Sequence, residues 1–238
     1  MKRYILVLLI LLSACMPDRR PKDAQIEEIL QSAHSGNSSA KWNLGARYEL
    51  GEGVEKDFDE AVKWYRLAAG QGNTKAQNNL GSLYELGEGV EKNFDEALKW
   101  YRLAAEKGDA SAQNNLGFMC ERGKGVEKNI NEALKWYRLA AEKGDASAQF
   151  NLGLMYYLGQ GVEKNVNETV KRWRLAAEKG DASAQFNLGL LYEEGQGVPR
   201  DKRQAKEWYI KAYDNGYTGG RSASWKLNKK GYYKSVYP

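Results

Sequence analysis

Histidine occurs once, cysteine twice and proline four times in 238 residues. A zinc centre needs several imidazole or thiolate ligands converging on one point. A Ser-His-Asp site would have to use His34, with no nucleophile motif to support it. His34 falls at the end of a helical stretch beside Gly36, where an imidazole can serve a helix terminus. No metal, no cofactor and no catalytic residue is therefore expected. Long Val/Ile/Thr-rich runs are missing after the N-terminus, which argues against a buried parallel sheet. Few prolines, with abundant alanine, leucine, lysine and glutamate, favour helix.

A marked excess of one charge is also missing. The formal net charge is +5, and Lys2 and Arg3 lie in a segment expected to be removed. The remainder holds 34 basic and 31 acidic residues. Nucleic-acid binding needs basic side chains gathered on one face, so no nucleic-acid partner is expected.

The only long apolar run, residues 5–12, is too short to span a bilayer. It follows Lys2 and Arg3 and precedes Ser13, Ala14 and Cys15, the pattern of a secretory signal. Leu12, Ser13, Ala14 and Cys15 resemble the lipobox of bacterial lipoproteins. That resemblance implies a signal peptide over 1–14, cleavage before Cys15 and lipid on its thiol. Met16, where aspartate would mark inner-membrane retention, implies the outer membrane, with the body facing the periplasm or exposed at the surface. Residues 15–23 read as a tether. Lipid on Cys15 leaves Cys120 alone, so no intramolecular disulfide can form.

Glycine is plentiful, with 25 residues, and its placement is regular. Self-comparison gives a period of 36 residues, with copies starting near Ala40, Ala76, Ala112, Ala148 and Ala184. Each copy carries Leu-Gly at its fifth and sixth positions, a Gly-x-Gly-Val turn, and a helical run closed by glycine. Such self-similarity denotes a stacked array. In the second copy Ala76, Leu80 and Tyr84 share one helical face, and Gly81 interrupts it. An interior glycine costs helix stability, so its recurrence predicts close approach of the partner helix backbone. Asn93 and Glu96 form a capping box for a second helix, repeated as Asp57 with Glu60, Asn129 with Glu132 and Asn165 with Glu168. Ala97, Trp100, Tyr101 and Ala104 then make its apolar stripe. The Lys-Gly-Asp runs near Gly108, Gly144 and Gly180 read as solvated turns.

The predicted organisation is a capping helix over 24–39, five 36-residue repeats over 40–219, and a capping helix with tail over 220–238. Residues 223–227 echo the start of the first repeat and are expected to form that last helix.

The second copy's Ala76, Leu80, Gly81, Tyr84, Gly87, Gly89, Val90, Ala97, Trp100, Tyr101, Ala104, Ala105 and Gly108 resemble the Sel1-like repeat family, relatives of the tetratricopeptide repeats. The resemblance spans residues 40–216. It implies an all-α, right-handed superhelical solenoid of helix pairs and a scaffold or adaptor role. Cys120 departs from the pattern at the Tyr84 position, Thr169 at the Ala97 position and Arg172 at the Trp100 position. Some secreted relatives carry a disulfide in each repeat and are linked to beta-lactam chemistry. The paired cysteines are missing here, so that activity is not carried over.

On the first helix of each copy the third, seventh and tenth places vary together along one stripe. They are Trp42, Ala46 and Glu49, then Asn78, Ser82 and Glu85, in the first two copies. Phe118 stands in the third copy; Phe150, Leu154 and Tyr157 in the fourth; Phe186 and Leu190 in the fifth. These six apolar residues form the candidate partner groove, on what is usually the concave side of such arrays. Aromatic anchors there suit a peptide or helix. Periodicity alone leaves open whether the stripe faces a partner or packs between repeats. Three functions follow: an envelope adaptor for a protein or peptide, a surface-exposed host-interaction factor, or, on location alone, a wall-directed enzyme.

Overall fold

The computed structural model describes residues 22–218, 225–227 and 233–235. The signal segment 1–14, the lipidation site Cys15 and the tether up to residue 21 lie outside the described residues. The first helix starts at Lys22, so the last two tether residues are helical.

Eleven helices follow one another among the described residues: α1 Lys22–His34, α2 Ser38–Leu50, α3 Phe58–Gly70, α4 Thr74–Leu86, α5 Phe94–Glu106, α6 Ala110–Arg122, α7 Ile130–Glu142, α8 Ala146–Leu158, α9 Val166–Glu178, α10 Ala182–Glu194 and α11 Lys202–Asp214. The substantial packing is between sequence neighbours, in two compact units that meet in sequence between Lys92 and Asn93. The first unit stacks α1 to α4, the second α5 to α11. This is an all-α solenoid of paired helices, in which α2, α4, α6, α8 and α10 are the first helices of the five repeats. Two short strands follow it in the chain, β1 Trp225–Leu227 and β2 Tyr233–Ser235, paired antiparallel.

Local chemistry sets the ends of each helix. Asp57, Asn93, Asn129, Asn165 and Asp201 cap the second helices in extended backbone, their side chains accepting from the first-turn N–H groups. The first helices begin two residues before the recurring alanine, because Asn73, Asp109, Asp145 and Asp181 cap them in the same way. The aspartates after Gly108, Gly144 and Gly180 are therefore caps as well as turns. Each first helix closes on a left-handed glycine, such as Gly51 with φ 73°.

Repeats are tied to their neighbours by backbone acceptors. Gln77 Nε2 donates to the Ala69 carbonyl at 3.0 Å, as Gln113 does to that of Ala105 and Gln185 to that of Ala177. These are carbonyls at the end of the preceding helix, which lack partners inside that helix. Lys143 and Lys179 reach back further, to the carbonyls of Gly108 and Gly144.

At Gly45, Gly153 and Gly189 the group nearest the first-helix glycine is a ring of the second helix rather than its backbone, while at Gly117 the Ala133 carbonyl also approaches, 3.3 Å from where a Cβ would stand. A Cβ on Gly45 would stand 2.6 Å from Tyr65 Cδ1, and one on Gly117 2.9 Å from Tyr137 Cδ1. Tyr65 and Tyr137 are fully buried, and the missing Cβ is what seats them.

Of the expected helix over residues 223–227, Trp225–Leu227 form strand β1 instead, and residues 223 and 224 lie outside the described residues. Tyr217 stands where Asn73, Asp109 and Asp145 cap the following helix, and Gly219 and Gly220 come next. A start without a capping side chain leaves the first N–H groups unsatisfied, and two glycines raise the entropic cost. Tyr213, 64% exposed, replaces the buried alanine seen at Ala69, Ala141 and Ala177. A helix following α11 as α4 follows α3 would meet Tyr213 where the other repeats present alanine.

Gly45→Ala tests the seat. Alanine normally stabilises a helix relative to glycine by about 1 kcal/mol, yet here overpacking should destabilise by about 1–3 kcal/mol. Gly70→Ala, with nothing near the added Cβ, should stabilise by about 0.5 kcal/mol. Urea unfolding followed by circular dichroism reads both; a stabilised Gly45→Ala would sink the seat.

Candidate functional site

The stripe residues sit half-buried on the first helices. Phe150 stacks on Trp173 with ring centroids 6.0 Å apart, and Tyr157 leans on the same ring at 5.5 Å. Leu154 packs with them against the core of Val170, Trp173, Ala176 and Leu188. Phe186 contacts Tyr209 at 5.3 Å and Tyr217 at 4.4 Å. Leu190 is half-buried one turn further along α10. Phe150, Tyr157 and Phe186 thus pack on the ring of their own second helix while remaining half-buried.

Phe118 is different. The Lys124 Nζ stands 4.8 Å from its ring centroid and the Arg122 guanidinium 5.6 Å from it. Lys164 lies over Tyr157 at 5.5 Å. Such cations are held by the ring quadrupole, so the aromatic patch has a basic edge that spacing alone does not reveal.

The tenth position of the stripe is a packing position. Glu49, Glu121 and Glu193 accept hydrogen bonds from the buried hydroxyls of Tyr65, Tyr137 and Tyr209. In the fourth repeat both partners change together. Trp173 replaces the tyrosine and donates its indole N–H to the Phe150 carbonyl at 3.1 Å, while Tyr157 replaces the glutamate. A carboxylate there would have lost its hydroxyl donor, and an aromatic ring covers the indole instead. The most apolar stretch of the stripe is therefore a coordinated exchange.

Burial first, and then the neighbouring carboxylates, push the hydroxyls of Tyr65, Tyr137 and Tyr209 well above the usual phenol range. Burial pushes the Cys120 thiol up to about 11, with Glu132 adding to it and Arg102 opposing. The thiolate is the reactive form, so Cys120 is an inert buried filler. Arg66 and Arg174 bond to the hydroxyls of Tyr84 and Tyr192 on the following repeat; Cys120, in the equivalent tyrosine place, removes that hydroxyl. Arg172 pairs with Glu168 at 3.4 Å, one turn back on its own helix. Thr169 is buried, its hydroxyl donating to the Asn165 carbonyl. His34 rests edge-on to Trp64, with centroids 5.6 Å apart.

Among the described residues no group of three or more His, Cys, Asp or Glu side chains could hold a metal. No described helix is long and apolar enough to cross a membrane.

Paired helices, glycine-seated rings and a variable first-helix face define a repeat scaffold of the kind that generally mediates protein–protein interaction. The Sel1 repeat model matches five consecutive stretches, residues 38–73, 74–109, 110–145, 146–181 and 182–217. The chain belongs to the Sel1 repeat family. It is similar to a Sel1 repeat protein of Oxalobacter formigenes, with 45% identity and a TM-score of 0.70, over 76% of this chain and 72% of that one. Immunity protein Pa5087 of Pseudomonas aeruginosa shares the fold at 23% identity and a TM-score of 0.57, over 86% and 78% of the two chains. A Sel1 repeat protein of Klebsiella pneumoniae subsp. pneumoniae does so at 19% and 0.56, over 83% and 96%. No curated protein matches the chain. The fold and family are consistent with a non-catalytic scaffold.

Each of the three tyrosines keeps its proton in the fold at a pH where an unfolded tyrosine, near pKa 10, begins to lose it. Their contribution to stability is complete below about pH 10 and is lost as pH rises through the folded pKa values. Thermal unfolding midpoints should therefore fall steadily above about pH 10. Phenolate absorbance at 295 nm should lag for these three residues until the chain unfolds. Full phenolate formation in the folded chain would contradict this.

Proposed function

We propose that this chain is an adaptor anchored in the bacterial cell envelope by lipid on Cys15, and that it binds a protein or peptide segment along Phe118, Phe150, Leu154, Tyr157, Phe186 and Leu190. The observation that carries the reading is the half-exposed aromatic and aliphatic stripe of the fourth and fifth repeats, braced from behind by Trp173 and Tyr209. Rings held in place lose little freedom on binding, which is what makes aromatic anchors effective. The second repeat supplies the contrast, with Asn78 and Ser82 in the same places.

The basic residues beside Phe118 and Tyr157 favour a partner segment carrying carboxylates next to apolar side chains. The lipobox-like ending Leu12, Ser13, Ala14 and Cys15 supports the anchor, and Met16 supports the outer membrane. Tethering would confine the search for a partner to the membrane surface, which raises effective concentration without new contacts.

Crosslinking capture from native envelopes tests the face. The bait is compared with a Phe150→Glu, Leu154→Glu, Phe186→Glu variant whose fold is checked by circular dichroism. Leu190→Glu is a milder second variant, since the triple change removes the stacking on Trp173. A partner held by the native chain and lost in either folded variant supports the groove. Equal capture sinks the groove but keeps the adaptor. Capture of nothing shifts the reading to an extracellular or host ligand.

Incorporation of labelled palmitate by the native chain, abolished in Cys15→Ser, is the expected result for the anchor. Equal labelling of both would refute it.

A further inference from the structure

In four repeats the first helix carries a half-buried tyrosine at one fixed place: Tyr48, Tyr84, Tyr156 and Tyr192. Two of these hydroxyls are met by an arginine from the preceding second helix. Arg66 Nη2 donates to Tyr84 at 2.7 Å, and Arg174 Nη2 to Tyr192 at 2.9 Å. The Arg66 guanidinium also stands 5.7 Å from the Tyr84 ring centroid. The third repeat keeps the arginine and drops the ring. Cys120 takes the tyrosine's place and is fully buried. Arg102 is exposed on α5, with no hydrogen-bond or ion-pair partner among the described residues.

A cavity of about 340 Å³ lies in the same repeat, lined by Val126, Glu127, Lys128, Asn129 and Glu132. Its lining adjoins the cysteine. The Asn129 N–H donates to the Cys120 carbonyl at 2.8 Å. Glu132 and Arg102 both act on the Cys120 thiol, the first raising its pKa and the second lowering it. Arg102, Cys120 and the cavity therefore share one neighbourhood at the C-terminal end of α6.

We propose that this cavity is a binding slot for a phenol ring, the tyrosine side chain of a partner polypeptide, which takes the place that the chain's own tyrosine holds in the other repeats. A volume at the lower end of small-ligand sites suits one ring rather than a large cofactor. The charges favour a neutral group. Glu127 and Glu132 would repel a carboxylate or phosphate, and Lys128 and Arg102 would repel an amine. A phenol hydroxyl both donates and accepts. It can accept from Arg102, as Tyr84 does from Arg66, and donate to Glu132. Glu132 Oε1 already accepts from the Trp136 indole at 3.4 Å, which leaves the other oxygen for the ligand. The guanidinium adds attraction to the ring face. None of these residues belongs to the first-helix stripe, so the slot does not depend on the groove assigned above.

Calorimetric titration of the purified chain tests the slot, with p-cresol as the probe and acetyl-Gly-Tyr-Gly-amide as the polypeptide form. The expected result is saturable binding of both. Cys120→Tyr, which supplies the ring from within, should weaken binding by about tenfold or more. Cys120→Ala, which leaves the space open, should bind as the native chain does. Arg102→Ala, a change at an exposed side chain, should weaken p-cresol by about tenfold, and toluene, without the hydroxyl, should bind about tenfold more weakly than p-cresol. Circular dichroism checks each fold, and Arg102→Ala carries the test if Cys120→Tyr does not fold. Absence of saturable p-cresol binding, or equal binding by the native chain and every folded variant, would overturn the proposal. Binding of p-cresol without the peptide would overturn the polypeptide source in favour of a free phenolic ligand.

Discussion

The absence of one carbon atom, at Gly45, Gly117, Gly153 and Gly189, holds together the two helices of four of the repeats. Where the first helix has glycine, the second helix lays an aromatic ring directly on the backbone, and Tyr65, Tyr137, Trp173 and Tyr209 all occupy that seat. The helix gives up about 1 kcal/mol for its glycine. In return a large side chain is buried completely, which is worth more. The ring's position then dictates the chemistry around it. A tyrosine brings a hydroxyl into the interior, so a glutamate is required at the next-to-last residue of the facing helix. The carboxylate keeps the phenol protonated, and the phenol keeps the carboxylate on the stripe.

The fourth repeat shows what happens when that chain of requirements is altered. An indole in the seat finds its own acceptor on the backbone of Phe150, and the glutamate is no longer needed. Tyr157 takes its place, and the face changes from polar to apolar. The stripe and the core are therefore one design problem, since a substitution behind the helix decides what its front can display. Cys120 is a smaller case of the same coupling, where loss of a ring also removes a hydroxyl that other repeats offer to an arginine.

Much of this was legible in the sequence. The 36-residue period, the caps at Asp57, Asn93, Asn129 and Asn165, and the glycine stops all follow from local chemistry that a single chain states openly. The stripe's residues were named from spacing alone, without the rings that pack behind them. What escaped was information held between residues distant in sequence. Nothing local distinguishes Glu121 on a surface from Glu121 beneath a tyrosine sixteen residues later. The aspartates after Gly108 and Gly144 have the composition of a loop and the job of a cap. Residues 223–227 copied the apolar spacing of a repeat but lacked the capping side chain before it, and apolar spacing was the louder signal.

Tyr213 has a consequence at the level of the gene. Because repeats touch mainly their neighbours, units of 36 residues can in principle be duplicated or lost by recombination without redesign of the rest. The exception is the last unit, where a tyrosine stands on the surface that would receive another copy. Duplication of an interior unit preserves every interface, while duplication of the fifth places Tyr213 inside a junction built for alanine. Interior units are therefore the ones that duplication could multiply without setting a tyrosine at a junction the other repeats build from alanine.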